Sequence, residues 1–233
     1  QACKDGIGIP QVGVISIAQR RQVINGLQQT GGLHAPDVVG ELCVEDVGKI
    51  LAGAGLGLHA LDGDSAGKPH QLYLDAGGAF AASGRVIEDL LESFLRDAYF
   101  STVPPKSTGR DRFNLEWLLR HAVDSHRAED VQATLAELTA RSIADAICAY
   151  CPESEEIYVC GGGAHNADLM ARIKARLPGR SVDTTQALGI APAWMEAMAF
   201  AWLAQQAMAG RPGNLPAATW ARGPRILGAI YPA

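Results

Sequence analysis

The chain has 233 residues, 48% of them hydrophobic and 19% charged, with a formal net charge of −5. The length suits one large domain or two small ones, and the balance excludes a disordered chain. A mildly acidic chain without a long basic run is no natural nucleic-acid binder, and no apolar stretch reaches the length that spans a bilayer, so neither nucleic acid nor membrane is an expected partner. No charged region followed by an apolar stretch opens the chain, so no signal peptide is expected. The first residue is Gln1 rather than Met, which fits a fragment or a processed product.

Residues 1–70 are glycine-rich and weakly patterned. Val12–Ile17 reads as a strand and Asp37–Leu51 as a helix, with Val38, Val39, Leu42, Val47, Ile50 and Leu51 as its apolar positions. From Leu72 the pattern sharpens. After Gly84, a helix is expected with Val86, Ile87, Leu90, Leu91, Phe94 and Leu95 on one side. Thr102–Arg112 reads as a loop and Asn114–Ala122 as a short helix. A long helix is expected from Ala128 to Tyr150, stopped by Pro152. A strand over Ile157–Cys160 runs into Gly161, Gly162 and Gly163, and a helix follows from Asn166 to Leu177, ended by Pro178-Gly179. Ser181–Thr184 reads as a short strand. Pro192 opens an alanine-rich helix over Ala193–Ala209, and Arg225–Tyr231 reads as an edge strand. This alternation predicts an α/β fold in which helices cover a mixed sheet.

The five cysteines are odd in number and follow no framework, which points to reduced thiols in a cytoplasm. Cys148 and Cys151 form a C-x-x-C, but no second such pair exists to complete a zinc site; two small buried thiols are the simpler expectation. The strand–glycine–helix junction at Gly161–Gly163 has two readings. It is either a tight structural turn or a place where a nucleotide approaches the backbone, with a helix start behind it that favours anions. It matches neither the P-loop nor the spaced-glycine dinucleotide fingerprint. Glu196, in the first turn of its helix, is either a charge–dipole partner or a carboxylate fixed to accept hydrogen bonds from ligand hydroxyls. Lys106, Ser107, Thr108, Gly109 and Arg110 form either a solvated loop or a cationic one that grips a phosphate or a sugar acid. His165 has no second ligand at metal spacing, so no metal site is expected from the protein's own residues.

Five blocks, in order, carry a resemblance: Ala79–Gly84 (AFAASG), Pro104–Leu118 (PPKSTGR, then FNLEWL), Cys160–Asn166 (CGGGAHN), Gly189–Ala204 (GIAPAWMEAMAFAWLA) and Leu227–Pro232 (LGAIYP). Together they resemble the anhydro-N-acetylmuramic acid kinase family. The resemblance implies the C-terminal lobe of an actin-like, sugar-kinase ATPase fold over residues 71–233, with residues 1–70 as an atypical segment. It implies ATP as phosphoryl donor with Mg²⁺, and a sugar substrate phosphorylated at its 6-oxygen while a water opens the 1,6-anhydro bridge. It places Gly161, Gly162, Gly163 and Asn166 along the nucleotide and Glu196 on the sugar; the cationic chemistry of their loop makes Lys106 and Arg110 the further expected substrate contacts. The family's Gly-Phe-Asp-Thr-Gly-Pro motif carries the aspartate that activates the water; its nearest counterpart here is Asp64, within Leu61–Gly67. The family's Gly-Thr-Ser-x-Asp-Gly phosphate loop has no counterpart in this sequence. The expectation is therefore a kinase lobe whose N-terminal half is missing or altered: a sugar kinase by family, or else an inactive binder of nucleotide or sugar, or a half-enzyme that needs a partner chain. A homodimer is a further expected assembly.

Overall fold

The computed structural model describes residues 12–17, 75–104, 106, 112–214, 216 and 221–230. The helix expected over 37–51, Asp64 and Arg110 lie outside these residues.

Strand β1 is Val12–Ile17. A group of short helices follows: α1 (Ala79–Ser83), α2 (Glu88–Leu95), α3 (Ala98–Ser101) and α4 (Leu115–Leu119). Then come the long α5 (Ala128–Tyr150), β2 (Glu156–Gly161), α6 (Ala167–Arg176), β3 (Ser181–Thr184) and α7 (Met195–Met208). The sheet order is β1-β2-β3. β1 runs antiparallel to β2 with Val14 opposite Val159, and β3 runs parallel to β2 with Ile157 opposite Val182. The result is a small mixed sheet. Ile157, Tyr158 and Val159 are all buried, as befits a central strand covered on both faces.

Helix α5 organises the rest. Val131 to Ala136 are buried without a break, so this stretch has no solvent face. Its N-terminal half joins Leu90, Leu91, Phe94, Phe113, Trp117 and Leu118 in one core, through Val131, Leu135 and Leu138. Its C-terminal half joins the sheet and α6 in a second, through Ile143 and Ile147 against Ile157, Val159, Leu169, Ile173 and Val182. Ala133, Ala136, Ala140 and Ala144 keep the helix thin where neighbours press on it.

Polar contacts stitch the flanking segments to this helix. The Arg85 amide donates to Asp130 Oδ1 at 2.7 Å, and the Ile87 amide to Thr134 Oγ1 at 3.0 Å. This extended pairing of residues 85–87 onto α5 is why α2 starts only at Glu88; the expected apolar positions Val86 and Ile87 pack beside the core from outside the helix. At Gly84 a Cβ would stand 2.0 Å from the Glu129 carbonyl oxygen, so only glycine passes there. On the other flank, Glu137 accepts from Arg172 Nη1 at 2.8 Å and from Arg176, while Arg172 Nε donates to Asp168 at 2.7 Å. Burial alone would lower the Arg172 pKa, but its hydrogen bonds and charge pairing with Asp168 and Glu137 outweigh this and raise it.

Asp97 ties the small helices together. It caps α3 by accepting from the Tyr99 amide at 2.9 Å, and it also accepts from Trp117 Nε1 at 3.0 Å and Arg112 Nη2 at 2.5 Å. Burial by itself would raise its pKa; the Tyr99 amide, Arg112 and Trp117 outweigh that and hold the carboxyl below its usual range.

Two sequence expectations are corrected. The tail forms no strand over 225–230. Gly228 takes a φ of 106°, and Ile226, Leu227 and Ile230 are exposed. The tail's hydrogen bonds go to the chain just after α7 instead: the Gly213 amide donates to the Arg225 carbonyl at 3.0 Å, and the Arg225 amide to Asn214 Oδ1 at 2.5 Å. The C-x-x-C thiols are not both buried: Cys148 is exposed and Cys151 half-buried, because they fall at the solvent end of α5 beyond Ile147.

Glu137→Ala should lower unfolding free energy by about 2 kcal/mol, since it strands two guanidinium donors in a mostly buried pair of contacts. Denaturant unfolding checks this. Asp97→Asn should cost about 1 kcal/mol at neutral pH, a modest figure because Arg112 is exposed and its pairing screened. A carboxyl with a depressed folded pKa stabilises above its unfolded value, near 3.8, and loses that contribution as pH falls through the folded one. The variant's stability should therefore fall less steeply with acid than the parent's in that range, as stability measured along a pH series will show.

Candidate functional site

The glycine turn grows out of the central strand. Gly161 ends β2 with φ 73° and ψ −169°, a region closed to side-chain-bearing residues. Gly162–His165 then make a single 3₁₀ turn with Gly163 buried, and the Asn166 amide donates to the Gly163 carbonyl at 3.0 Å. Asn166 caps α6: its Oδ1 accepts from the Leu169 amide at 2.9 Å. Asp168 adds a carboxylate to the first turn. The positive end of α6 thus already faces a carboxamide oxygen and a carboxylate of the chain itself.

Two further segments meet this turn. Asp75 accepts from the Phe80 amide at 2.8 Å and the Ala81 amide at 3.0 Å, which fixes the start of α1. Between them Gly77 and Gly78 take φ values of 68° and 81°, and Gly78 lies so close to α6 that a Cβ there would stand 2.0 Å from Asn166 Oδ1. On the other side, the 3₁₀ turn Pro192–Trp194 contacts both β2 and the glycine turn, and α7 begins directly after it. Glu196 lies in the first turn of α7 and is exposed. At the carboxyl end of β3, Thr185 is fully buried and its hydroxyl has no hydrogen-bond partner among the described residues. The carboxyl ends of two parallel strands therefore gather the glycine turn, Thr185 and the segment that launches α7, the edge where α/β sheets hold ligands.

The remaining sequence candidates fall elsewhere. Lys106 Nζ donates to the carbonyls of Tyr99 and Phe100, at 3.0 and 3.3 Å, and lies 4.7 Å from the centre of the Tyr99 ring. It closes the C-terminal end of α3 within the aromatic cluster. His165 is exposed, and among the described residues no three His, Cys, Asp or Glu side chains are grouped for a metal. Sequence reasoning missed Asp75 and Thr185. An aspartate ahead of two glycines and an apolar helix is a capping signal that could have been read; a threonine after a short strand gives none.

Fold and site define the class: a helix-covered mixed sheet with a glycine turn at its carboxyl edge, the C-terminal lobe of a sugar kinase. The pattern of the family described as anhydro-N-acetylmuramic acid kinase matches residues 55–233, and the chain belongs to that family. A relative of that name from Pseudomonas paraeruginosa is 57% identical over 164 residues, covering 69% of this chain and 45% of its own length. One from Nitrosomonas europaea is 54% identical over 159 residues, covering 68% of this chain and 44% of its own. One from Xanthomonas oryzae pv. oryzae is 54% identical over 166 residues, covering 70% and 44%. The chain thus spans about half the length of the curated relatives it matches.

Gly77 and Gly78 allow backbone strain to be separated from crowding. Both need positive φ, but Gly77 has open space around it and Gly78 has Asn166. Gly77→Ala should cost about 1 kcal/mol, the left-handed penalty alone. Gly78→Ala should cost about 2 kcal/mol more, from overpacking against the α6 cap. It should also speed hydrogen exchange at the Leu169 amide, which Gly77→Ala should leave unchanged.

Proposed function

We propose that this chain supplies the C-terminal lobe, residues 71–233, of a kinase that transfers the γ-phosphoryl of ATP to the 6-oxygen of 1,6-anhydro-N-acetylmuramic acid. A water opens the anhydro bridge and N-acetylmuramic acid 6-phosphate results. The observation that carries this reading is membership of the family over residues 55–233, with the glycine turn of that match at the carboxyl edge of the sheet. In this reading the bare backbone of Gly161–Gly163 lies along the nucleotide, and Asn166 holds the turn's far end by capping α6. Glu196, exposed at the start of α7, accepts hydrogen bonds from sugar hydroxyls. Asp64 activates the water, and Lys106 and Arg110 contact the sugar substrate. Residues 1–70 form an atypical segment ahead of the lobe. Mg²⁺ accompanies ATP. In this reading the ion is held chiefly by phosphate oxygens and water. The setting is peptidoglycan recycling and amino-sugar metabolism in the cytoplasm. Among the described residues no helix is long and apolar enough to cross a membrane.

A second reading has its own support. The relatives match over only 44–45% of their own length, and α7, although rich in Trp, Met, Phe and Ala, has no buried residue. A helix apolar on all sides ordinarily sits inside a larger body. The chain then acts as a half-enzyme completed by a partner chain, by a second copy as a homodimer, or as a non-catalytic binder.

Calorimetric titration with ATP and with the anhydro-sugar, beside an ADP-release assay, separates these readings. Turnover by the chain alone supports the kinase, binding without turnover supports the second reading, and absence of both removes the two. Gly161→Val should abolish nucleotide binding, because valine cannot adopt the Gly161 backbone. Glu196→Ala should weaken sugar binding at least about tenfold, the worth of one charged hydrogen bond, with ATP binding unchanged.

A further inference from the structure

We infer that Cys148 and Cys151 form a dithiol that a low-molecular-weight disulfide oxidises to an intramolecular disulfide at the end of α5. Cys148 lies in the last turn of that helix and is exposed; Cys151 is its C-cap and half-buried. The Cys151 amide donates to the Ile147 carbonyl at 2.9 Å, so the helical path reaches Cys151 and the two cysteines stand one turn apart. Residues one turn apart have Cβ atoms about 5–6 Å from each other. A disulfide needs Cβ atoms roughly 3.5–4.5 Å apart. The gap must therefore close by about 1–2 Å, the difference of those ranges.

Cys151 can supply that movement. Its φ of −134° and ψ of 54° are already off the helix, and no helical turn follows to hold it. What fixes the chain beyond is attached to carbonyls: the Ser154 amide donates to the Cys151 carbonyl at 3.1 Å, and Arg180 Nη2 to the Pro152 carbonyl at 3.1 Å. No third metal-binding side chain joins the pair among the described residues, which leaves sulfur chemistry rather than metal binding.

The accessible group reacts first. The Cys148 thiolate attacks one sulfur of the external disulfide, forms a mixed disulfide and releases one small thiolate, which takes up a proton. The Cys151 thiolate then attacks the Cys148 sulfur, expels the second small thiolate and closes the Cys148–Cys151 bond. The two cysteines lose two electrons and two protons, and the external disulfide gains both. The product staples the last turn of α5, four residues ahead of β2.

The test is incubation of the full chain with oxidised glutathione, followed by alkylation of remaining thiols and peptide mass mapping. The expected product is a Cys148–Cys151 disulfide, with no glutathione retained at either position and full reversal by dithiothreitol. In Cys151→Ser the resolving thiol is gone, so glutathione should persist on Cys148 through a chase in glutathione-free buffer. Stable glutathione on both cysteines of the parent chain, two thiols that stay reduced, or release of the adduct from Cys151→Ser as fast as from the parent would each overturn the inference. Circular dichroism of both proteins confirms that the variant is folded.

Discussion

The structure depends on the complete burial of α5 around Val131–Ala136. A helix with no solvent face must be covered from every side, and the chain does this with two groups of elements that share it as their common support. Small helices rich in aromatic residues cover its first half; the sheet and α6 cover its second. Glu137 lies where the two groups adjoin, and its carboxylate reaches across to two arginines of α6. The position of α6 fixes Asn166, and Asn166 fixes the far end of the glycine turn. A requirement for burial in one helix thus reaches the proposed ligand edge through a chain of direct contacts.

The glycine turn itself is specified by backbone geometry rather than by side-chain chemistry. Gly161 occupies conformations open to glycine alone, Gly163 is buried, and Gly78 presses on the cap of the helix that follows. Two segments far apart in sequence, around Gly78 and around Gly161–Asn166, are brought within contact by residues that lack a side chain. The polar groups at this edge are few: Asn166 serves the helix, Asp168 serves Arg172, and Glu196 reaches solvent.

Much of this was legible in the sequence, and for identifiable reasons. The strand Val12–Ile17, the helix Ala128–Tyr150 and the strand Ser181–Thr184 have the expected bounds because apolar period, Pro152 and the Pro178-Gly179 stop act locally. Asn114 and Asn166 cap the helices that were expected to begin there, again a local effect. What the sequence withheld depended on distant partners. Val86 and Ile87 fit a helical stripe, yet hydrogen bonds to Asp130 and Thr134 hold residues 85–87 extended. The apolar tail looked like a strand, but its hydrogen bonds went to Gly213 and Asn214. The thiols of Cys148 and Cys151 looked buried by residue type, and only the point at which α5 emerges from its neighbours shows otherwise. Of the residues at the candidate edge, Gly161–Gly163 stand out in the sequence as an unusual run, whereas Thr185 is notable only for a hydroxyl left without a partner among the described residues.

The aromatic cluster around Trp117 carries an optical consequence. The indole is buried, donates to Asp97, and lies 4.8 Å from the His121 ring, centre to centre. Burial, helped by the charge of Arg120 and opposed by that of Asp97, holds His121 below its ordinary pKa. A protonated imidazole draws an electron from an excited indole far more readily than a neutral one. Protonation of His121 is therefore expected to dim the emission of Trp117, an optical report on the small-helix core.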